Sequence, residues 1–274
     1  MKNFLIRTTT GVIYAAILLA GISGGPYTFA GLFAIITALC LWEFYGLVDK
    51  DVPRVFNVCG GMYLFVATFL INYKGFGYSI YLPYFGYILL IFVLELYRRK
   101  ENPLLNYAYS FLGQIYIALP ISLLNRVAFL PSPSGQEIIY NYHFILMALF
   151  VFIWANDTGA YLVGMAIGKR RLFVRVSPKK SWEGFFGGMA FAIISALAIV
   201  YFRPEIKHIQ WVGLSILVVL FATFGDLTES LMKRTLNIKD SGKALPGHGG
   251  FLDRFDSMLF GIYALFFYTE VVLR

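Results

Sequence analysis

The 32 residues from Gly225 to Asp256, GDLTESLMKRTLNIKDSGKALPGHGGFLDRFD, hold five Asp or Glu and five Lys or Arg between two apolar runs. If the helix arriving from Val212 continues past Phe224, then Asp226, Ser230 and Lys233 fall at i, i+4 and i+7 and share a face. That face carries a carboxylate, a hydroxyl and an ammonium. Pro246 and the glycines at 247, 249 and 250 break the helix and offer open backbone N–H groups around His248. Asp253 and Asp256, at i and i+3, share a face again, with Arg254 between them in sequence. Three carboxylates able to converge, with basic residues and amides around them, suit a divalent cation together with a polyphosphate: hard oxygen ligands for the metal, cations and N–H groups for the phosphates. The chemistry is that of a phosphoryl-group site.

Two other stretches put polar groups where apolar ones are expected. In WANDTGAYLVG an apolar run from Phe144 meets Asn156 and Asp157, placing a carboxylate inside a membrane-length segment. On insertion scales this costs about 2.5 to 3.5 kcal/mol. Either an interhelical pair absorbs that cost, or the two residues face a polar cavity holding substrate or metal. In GKRRLFVRVSPKKSWEG, residues 168–184, six basic residues precede a helix start at Ser181, with Glu183 in the first turn. Orientation in the membrane and attraction to anionic lipid account for most of them.

The elements that must position these residues are membrane helices. The chain has 274 residues, 59% of them hydrophobic and only 14% charged, against roughly 25% charged in an ordinary soluble domain. The formal charge of +8 lies in short clusters between apolar runs, which leaves no basic face for nucleic acid. Nine segments are long and apolar enough to span a bilayer: 8–24, 27–47, 55–73, 78–97, 107–125, 143–166, 183–202, 209–229 and 257–273. Kinks are expected at Pro83 and Pro120. With the N-terminus inside, eighteen Lys and Arg fall on the cytoplasmic side and five, Lys74, Arg126, Arg203, Lys207 and Arg274, outside. Residues 1–142 thus read as about five scaffold helices. Residues 143–274 read as a catalytic region of about four helices, with cytoplasmic loops 168–182 and 234–256. The expected fold is an all-α polytopic integral membrane protein whose polar site lies at the cytoplasmic side of the C-terminal half. The N-terminal apolar run lacks a convincing cleavage site and reads as an uncleaved first helix. Cys40 and Cys59 have no partners at metal-ligand spacing and read as small buried hydrophobes. Glu43 and Glu95, near cytoplasmic helix ends, read as interfacial anchors.

The pattern S-L-M-K-R-x4-K-D-S-G-x3-P-G-H-G-G-F-x-D-R-F-D, Ser230 to Asp256, resembles the signature of the CDP-diacylglycerol synthases, also called phosphatidate cytidylyltransferases. S-P-K-K-S-W-E-G, Ser177 to Gly184, resembles the same family at the matching place in the chain. The resemblance implies that CTP and phosphatidate are the substrates and that CDP-diacylglycerol and pyrophosphate are the products. It implies Mg²⁺ with a second cation such as K⁺, held by Asp226 and Asp253, with Asp256 a further ligand or a group that positions one. Lys233, Arg234, Lys239 and Arg254 would bind phosphates; Ser177, Lys179 and Lys180 would help hold those of CTP or phosphatidate. Ser230, Gly249 and Gly250 join the substrate set, with Asn156 and Asp157 at its edge; His248 serves either loop structure or a phosphate contact. The bilayer is a partner, and a homodimer is admitted through the G-x-x-x-G at Gly164 and Gly168.

Two other classes compete. A CTP-dependent polyprenol or lipid kinase would release CDP instead of pyrophosphate. A transporter of phosphorylated substrates would show related halves, and no internal repeat is found; a Walker A loop is also absent.

Overall fold

A helix satisfies every backbone N–H and C=O within its own segment, so it is the form an apolar run takes in hydrocarbon. A computed structural model describes residues 2–48, 51–131, 138–139, 143–202, 206–242 and 249–273. Among these, eight helices are long and apolar enough to cross a membrane: Pro26–Val48, Arg54–Lys74, Tyr78–Arg98, Pro103–Ala128, His143–Ile167, Trp182–Phe202, His208–Thr235 and Leu252–Leu273. A shorter apolar stretch, Thr9–Ser23, lies within α1 (Lys2–Ser23). These nine follow the nine expected segments in order, and the protein is an all-α integral membrane protein.

The chain divides into two compact units, Met1–His143 with Asp240–Arg254 and Phe144–Lys239 with Phe255–Arg274. The first contains α1, α2 (Pro26–Val48), α3 (Arg54–Lys74), α4 (Leu82–Arg98), α5 (Pro103–Gly113) and α6 (Leu119–Ala128). A two-residue ladder pairs β1 (Leu130–Pro131) with β2 (Ile138–Ile139). Both prolines mark breaks in regular α geometry within their spans. Pro83 opens α4 after a 3₁₀ turn, Tyr78–Tyr81. Pro120 opens α6 after a π-helical turn, Gln114–Ala118. A proline has no N–H for the carbonyl four residues back and its ring crowds that carbonyl, so the chain widens or tightens its turn just before it.

Buried polar side chains in this unit find one another, since lipid offers them no water. Asn57 donates to Ser110 Oγ at 2.8 Å and accepts from Tyr87 at 3.0 Å. Gln114 donates to the Asn57 carbonyl at 2.8 Å, and Tyr45 donates to the Ser110 carbonyl at 2.7 Å. Glu95 is buried, paired with the neighbouring Arg98 and accepting from Asn106 at 3.0 Å; Cys40 is buried as expected, whereas Cys59 is exposed.

The second unit holds α7 (His143–Ile167) from Phe144 on, β3 (Arg171–Phe173), β4 (Ser177–Ser181), α8 (Trp182–Phe202), α9 (His208–Thr235) and the part of α10 (Leu252–Tyr268) from Phe255 on. Glycines line the contact between α7 and α8. A Cβ on Gly159 would stand 2.9 Å from the Gly187 carbonyl, and one on Gly184 2.9 Å from the Ala160 carbonyl. Gly164 faces Ser181 Oγ and the Gly184 backbone, so the G-x-x-x-G serves this internal contact.

Candidate active site

The SPKKS segment is a strand. β4 pairs antiparallel with β3, Arg171 opposite Ser181 and Phe173 opposite Ser177, with an irregularity between the two pairs. Arg171 Nη1 also donates to the Lys179 carbonyl at 3.3 Å. The hairpin delivers Ser181 as the cap of α8, its Oγ accepting from the Gly184 N–H at 3.1 Å. Glu183 accepts from the Arg170 N–H at 3.2 Å. Ser181→Ala removes the cap that orients the strand on the helix. It should cost about 0.5–2 kcal/mol of stability, read as a lowered midpoint of thermal unfolding in detergent, with a helical circular dichroism spectrum retained below it.

α9 continues past Phe224 to Thr235, as the spacing of its polar residues requires. Its approach to α10 is close: a Cβ on Gly225 would lie 2.6 Å from the Asp256 carbonyl. Asp226 receives Lys180 Nζ from the hairpin at 2.5 Å and the Ser230 hydroxyl at 3.3 Å. The charges of Asp226, Asp256 and Lys180 all act on Asp157. Asn156, Asp157, Lys179, Lys180 and Asp226 line one cavity of about 520 Å³, joined by Arg171, Thr223 and Ser257. Ala160, Tyr161, Met165, Leu172 and Phe185 supply its apolar wall. One cavity therefore combines carboxylates, cations and hydrocarbon, which suits a charged headgroup that carries lipid chains.

Lys233 meets Glu229, four residues earlier on the same helix, as that spacing allows. It forms a 2.7 Å ion pair with Glu229, whose side chain is only 1% exposed. Its charge also acts on Asp256, which lies beside Glu229. Arg234 is exposed and donates to the Ile238 carbonyl at 3.4 Å, and Lys239 is exposed. Ser177 opens β4 opposite Phe173.

Gly249, Gly250, Asp253 and Arg254 belong to the first unit. Asp253 Oδ2 accepts the N–H groups of Ser241 and Gly250, each at 2.8 Å. Gly249 has φ +83°, a backbone region that glycine enters without strain. The Arg254 carbonyl accepts from the Tyr14 hydroxyl at 3.5 Å. His248 lies outside the described residues.

The donor set around Asp226 fits a small, hard cation. Asn156 Oδ1 is buried without a hydrogen-bond donor, and the carboxylates of Asp157 and Asp226 line the same cavity. Among the described residues no three His, Cys, Asp or Glu side chains form a ready cage. Mg²⁺ needs none, since it is commonly held through one or two carboxylates and completed by water and substrate phosphates.

Two contributors escaped the sequence. Arg171 lines the cavity, but nothing set it apart from its five basic neighbours in residues 168–184. Glu43, read as an interfacial anchor, instead accepts from the Ser241 hydroxyl at 3.0 Å and the Leu252 N–H at 2.7 Å. A carboxylate in the apolar run LWEFYGL was the available signal.

Residues 5–272 match a family model described as the cytidylyltransferase family. The phosphatidate cytidylyltransferase of Haemophilus influenzae is 31% identical over 284 residues, 95% of this chain and 96% of that one. The Bacillus subtilis protein of the same name is 30% identical over 271 residues, 97% and 98% of the two chains. That of Staphylococcus aureus strain COL is 48% identical over 120 residues, 43% and 45% of the two.

Proposed function

The chain belongs to the cytidylyltransferase family, and from that premise we propose that it is a phosphatidate cytidylyltransferase, making CDP-diacylglycerol and pyrophosphate from CTP and phosphatidate. The observation that carries this reading is the cavity in which Asp157 and Asp226, Lys179, Lys180 and Arg171 meet the apolar wall of Tyr161, Met165 and Phe185. Nucleotide phosphates call for the first groups and a lipid substrate for the last.

In the reaction, a phosphate oxygen of phosphatidate forms a bond to the α-phosphorus of CTP. The bond from that phosphorus to the oxygen bridging toward the β-phosphorus breaks, and pyrophosphate leaves with its electron pair. No strong general base is required, because a phosphate monoester is already ionised near pH 7. The task of the protein is to neutralise charge and align the two phosphates. Lys179, Lys180 and Arg171 bind phosphate oxygens, and Lys180 exchanges its contact with Asp226 for one to substrate. Asp226 and Asp157, with Asn156 Oδ1, would hold Mg²⁺, Asp256 adding a further negative charge nearby that favours a cation, and the ion would supply charge neutralisation at the phosphates. The apolar wall keeps the acyl chains beside the bilayer. The concentration of Lys and Arg on one side of the predicted spans supports a site facing the cytoplasm, where CTP is found.

Purified protein in detergent, given phosphatidate and labelled CTP, should form a labelled liponucleotide and one pyrophosphate per turnover. Chelation of divalent cations should stop it. Release of CDP in place of pyrophosphate would replace this reading with γ-phosphoryl transfer by a lipid kinase.

Lys179→Ala and Lys180→Ala should each raise the KM for CTP or phosphatidate on the order of 10-fold or more, as loss of a charge-assisted phosphate contact does. Unchanged affinity for both substrates in both variants would remove the hairpin from the binding site.

A further inference from the structure

The β3–β4 hairpin joins two membrane-spanning helices, and the second of them sets its depth. α8 has 21 residues, about 32 Å of helix at 1.5 Å per residue, which matches a hydrocarbon core of roughly 30 Å. Its first residue, Trp182, follows β4 directly and is exposed, stacked on Phe186 with ring centroids 6.1 Å apart. Tryptophan at the end of a span belongs at the headgroup boundary, so the base of the hairpin lies there too. On its other side only residues 168–170 separate the end of α7 from β3.

The tip has the wrong composition for water. The Val176 N–H donates to the Phe173 carbonyl at 3.3 Å and closes a turn around Val174 and Arg175. Turns that face water favour Gly, Pro, Asn, Asp and Ser. Here Phe173 is 48% exposed and Val174 67%, whereas Val176 beside them is 4% exposed. Charge around the tip has one sign: residues 168–181 hold six Lys or Arg and no Asp or Glu. Arg175 and Lys179 are exposed and make no ion pair among the described residues. An apolar pair ringed by cations complements an anionic lipid surface, the apolar groups entering it and the cations meeting its headgroups.

We propose that the hairpin tip docks in the bilayer: Phe173 and Val174 enter the boundary between headgroups and acyl chains, Arg175 meets anionic headgroups, and the mouth of the cavity is held at headgroup depth. The same two strands supply Arg171, Leu172, Lys179 and Lys180 to the cavity lining, so immersing the tip fixes the level at which those groups meet a lipid phosphate. The effect on substrate rests on the nucleotidyl-transfer reading above, whereas the docking does not.

The experiment uses the full chain in vesicles of phosphatidylcholine and phosphatidylglycerol. Cys40 is buried and Cys59 exposed, so Val174→Cys with Cys59→Ala leaves one accessible thiol for a nitroxide. Collision with oxygen, which concentrates among acyl chains, should exceed collision with a water-soluble nickel chelate. The double variant Phe173→Ser, Val174→Ser should raise the KM for phosphatidate on the order of 10-fold, the scale of one lost apolar burial, and leave the KM for CTP unchanged. If that variant does not fold, Val174→Ser alone carries the same comparison. A nitroxide that meets the nickel chelate more readily than oxygen would place the tip in water, open to a protein partner, and overturn the proposal. An unchanged KM for phosphatidate in the serine variant would overturn it as well. If the unaltered protein makes no liponucleotide, the nucleotidyl-transfer reading fails, while the nitroxide still decides the docking.

Discussion

Asp226→Asn should lower liponucleotide formation on the order of 10³-fold, the scale on which loss of a charge aimed at the reacting phosphates is felt. Asn keeps the size of the side chain and can still accept from Ser230, which reaches Asp226 at 3.3 Å. It loses the negative charge that meets Lys180 at 2.5 Å and that suits a cation. Because both members of that pair are about 30% exposed, breaking it should change stability by only about 1 kcal/mol or less. The signature is therefore a folded protein with an unchanged thermal midpoint, little turnover, and a Mg²⁺ requirement displaced to much higher concentration. Direct titration with Mn²⁺ followed by electron paramagnetic resonance should show the affinity loss without any turnover. Full activity in Asp226→Asn would take this residue out of the metal and substrate site.

Lys233→Met should have the largest effect on stability. The Glu229 side chain is 1% exposed and Lys233 only 14% exposed, and removing one partner of a buried pair costs about 3–5 kcal/mol because the other charge is stranded. The double variant Glu229→Gln, Lys233→Met removes both charges and should recover most of that loss. Turnover should stay low in the double variant, since the Lys233 charge also acts on Asp256. Recovery of turnover together with stability would restrict Lys233 to the ion pair. Comparing the two readouts separates a fold-stabilising lysine from a phosphate-binding one, which the i, i+4, i+7 spacing of Asp226, Ser230 and Lys233 could not do.

Much of the architecture was legible in the chain because bilayer thickness is a physical ruler. Runs of apolar residues near 20 long must become helices, and positive charge sorts by side. Polar residues outside the signature were legible for the opposite reason: a carboxylate such as Asp157 in an apolar segment costs enough to demand an explanation. The prolines were legible as interruptions: the backbone leaves α geometry just before each, in a 3₁₀ turn before Pro83 and a π turn before Pro120, but which way the turn changes depends on how it repacks.

The sequence by itself determined the membrane-helical class, the order of the nine apolar segments, the start of α8 at its Ser181 cap and the run of α9 beyond Phe224, all of them outcomes of local composition and periodicity. Only the tertiary structure decided that SPKKS is a strand bringing Lys180 to Asp226, that Asp253 binds the backbone of Ser241 and Gly250, and that Glu43 meets Ser241 and Leu252, some two hundred residues away in the chain. Each of these is a choice of partner for a charge. A carboxylate is satisfied equally by a lysine, a metal ion or a pair of amides, and which one it meets is settled by the folding of distant segments against it.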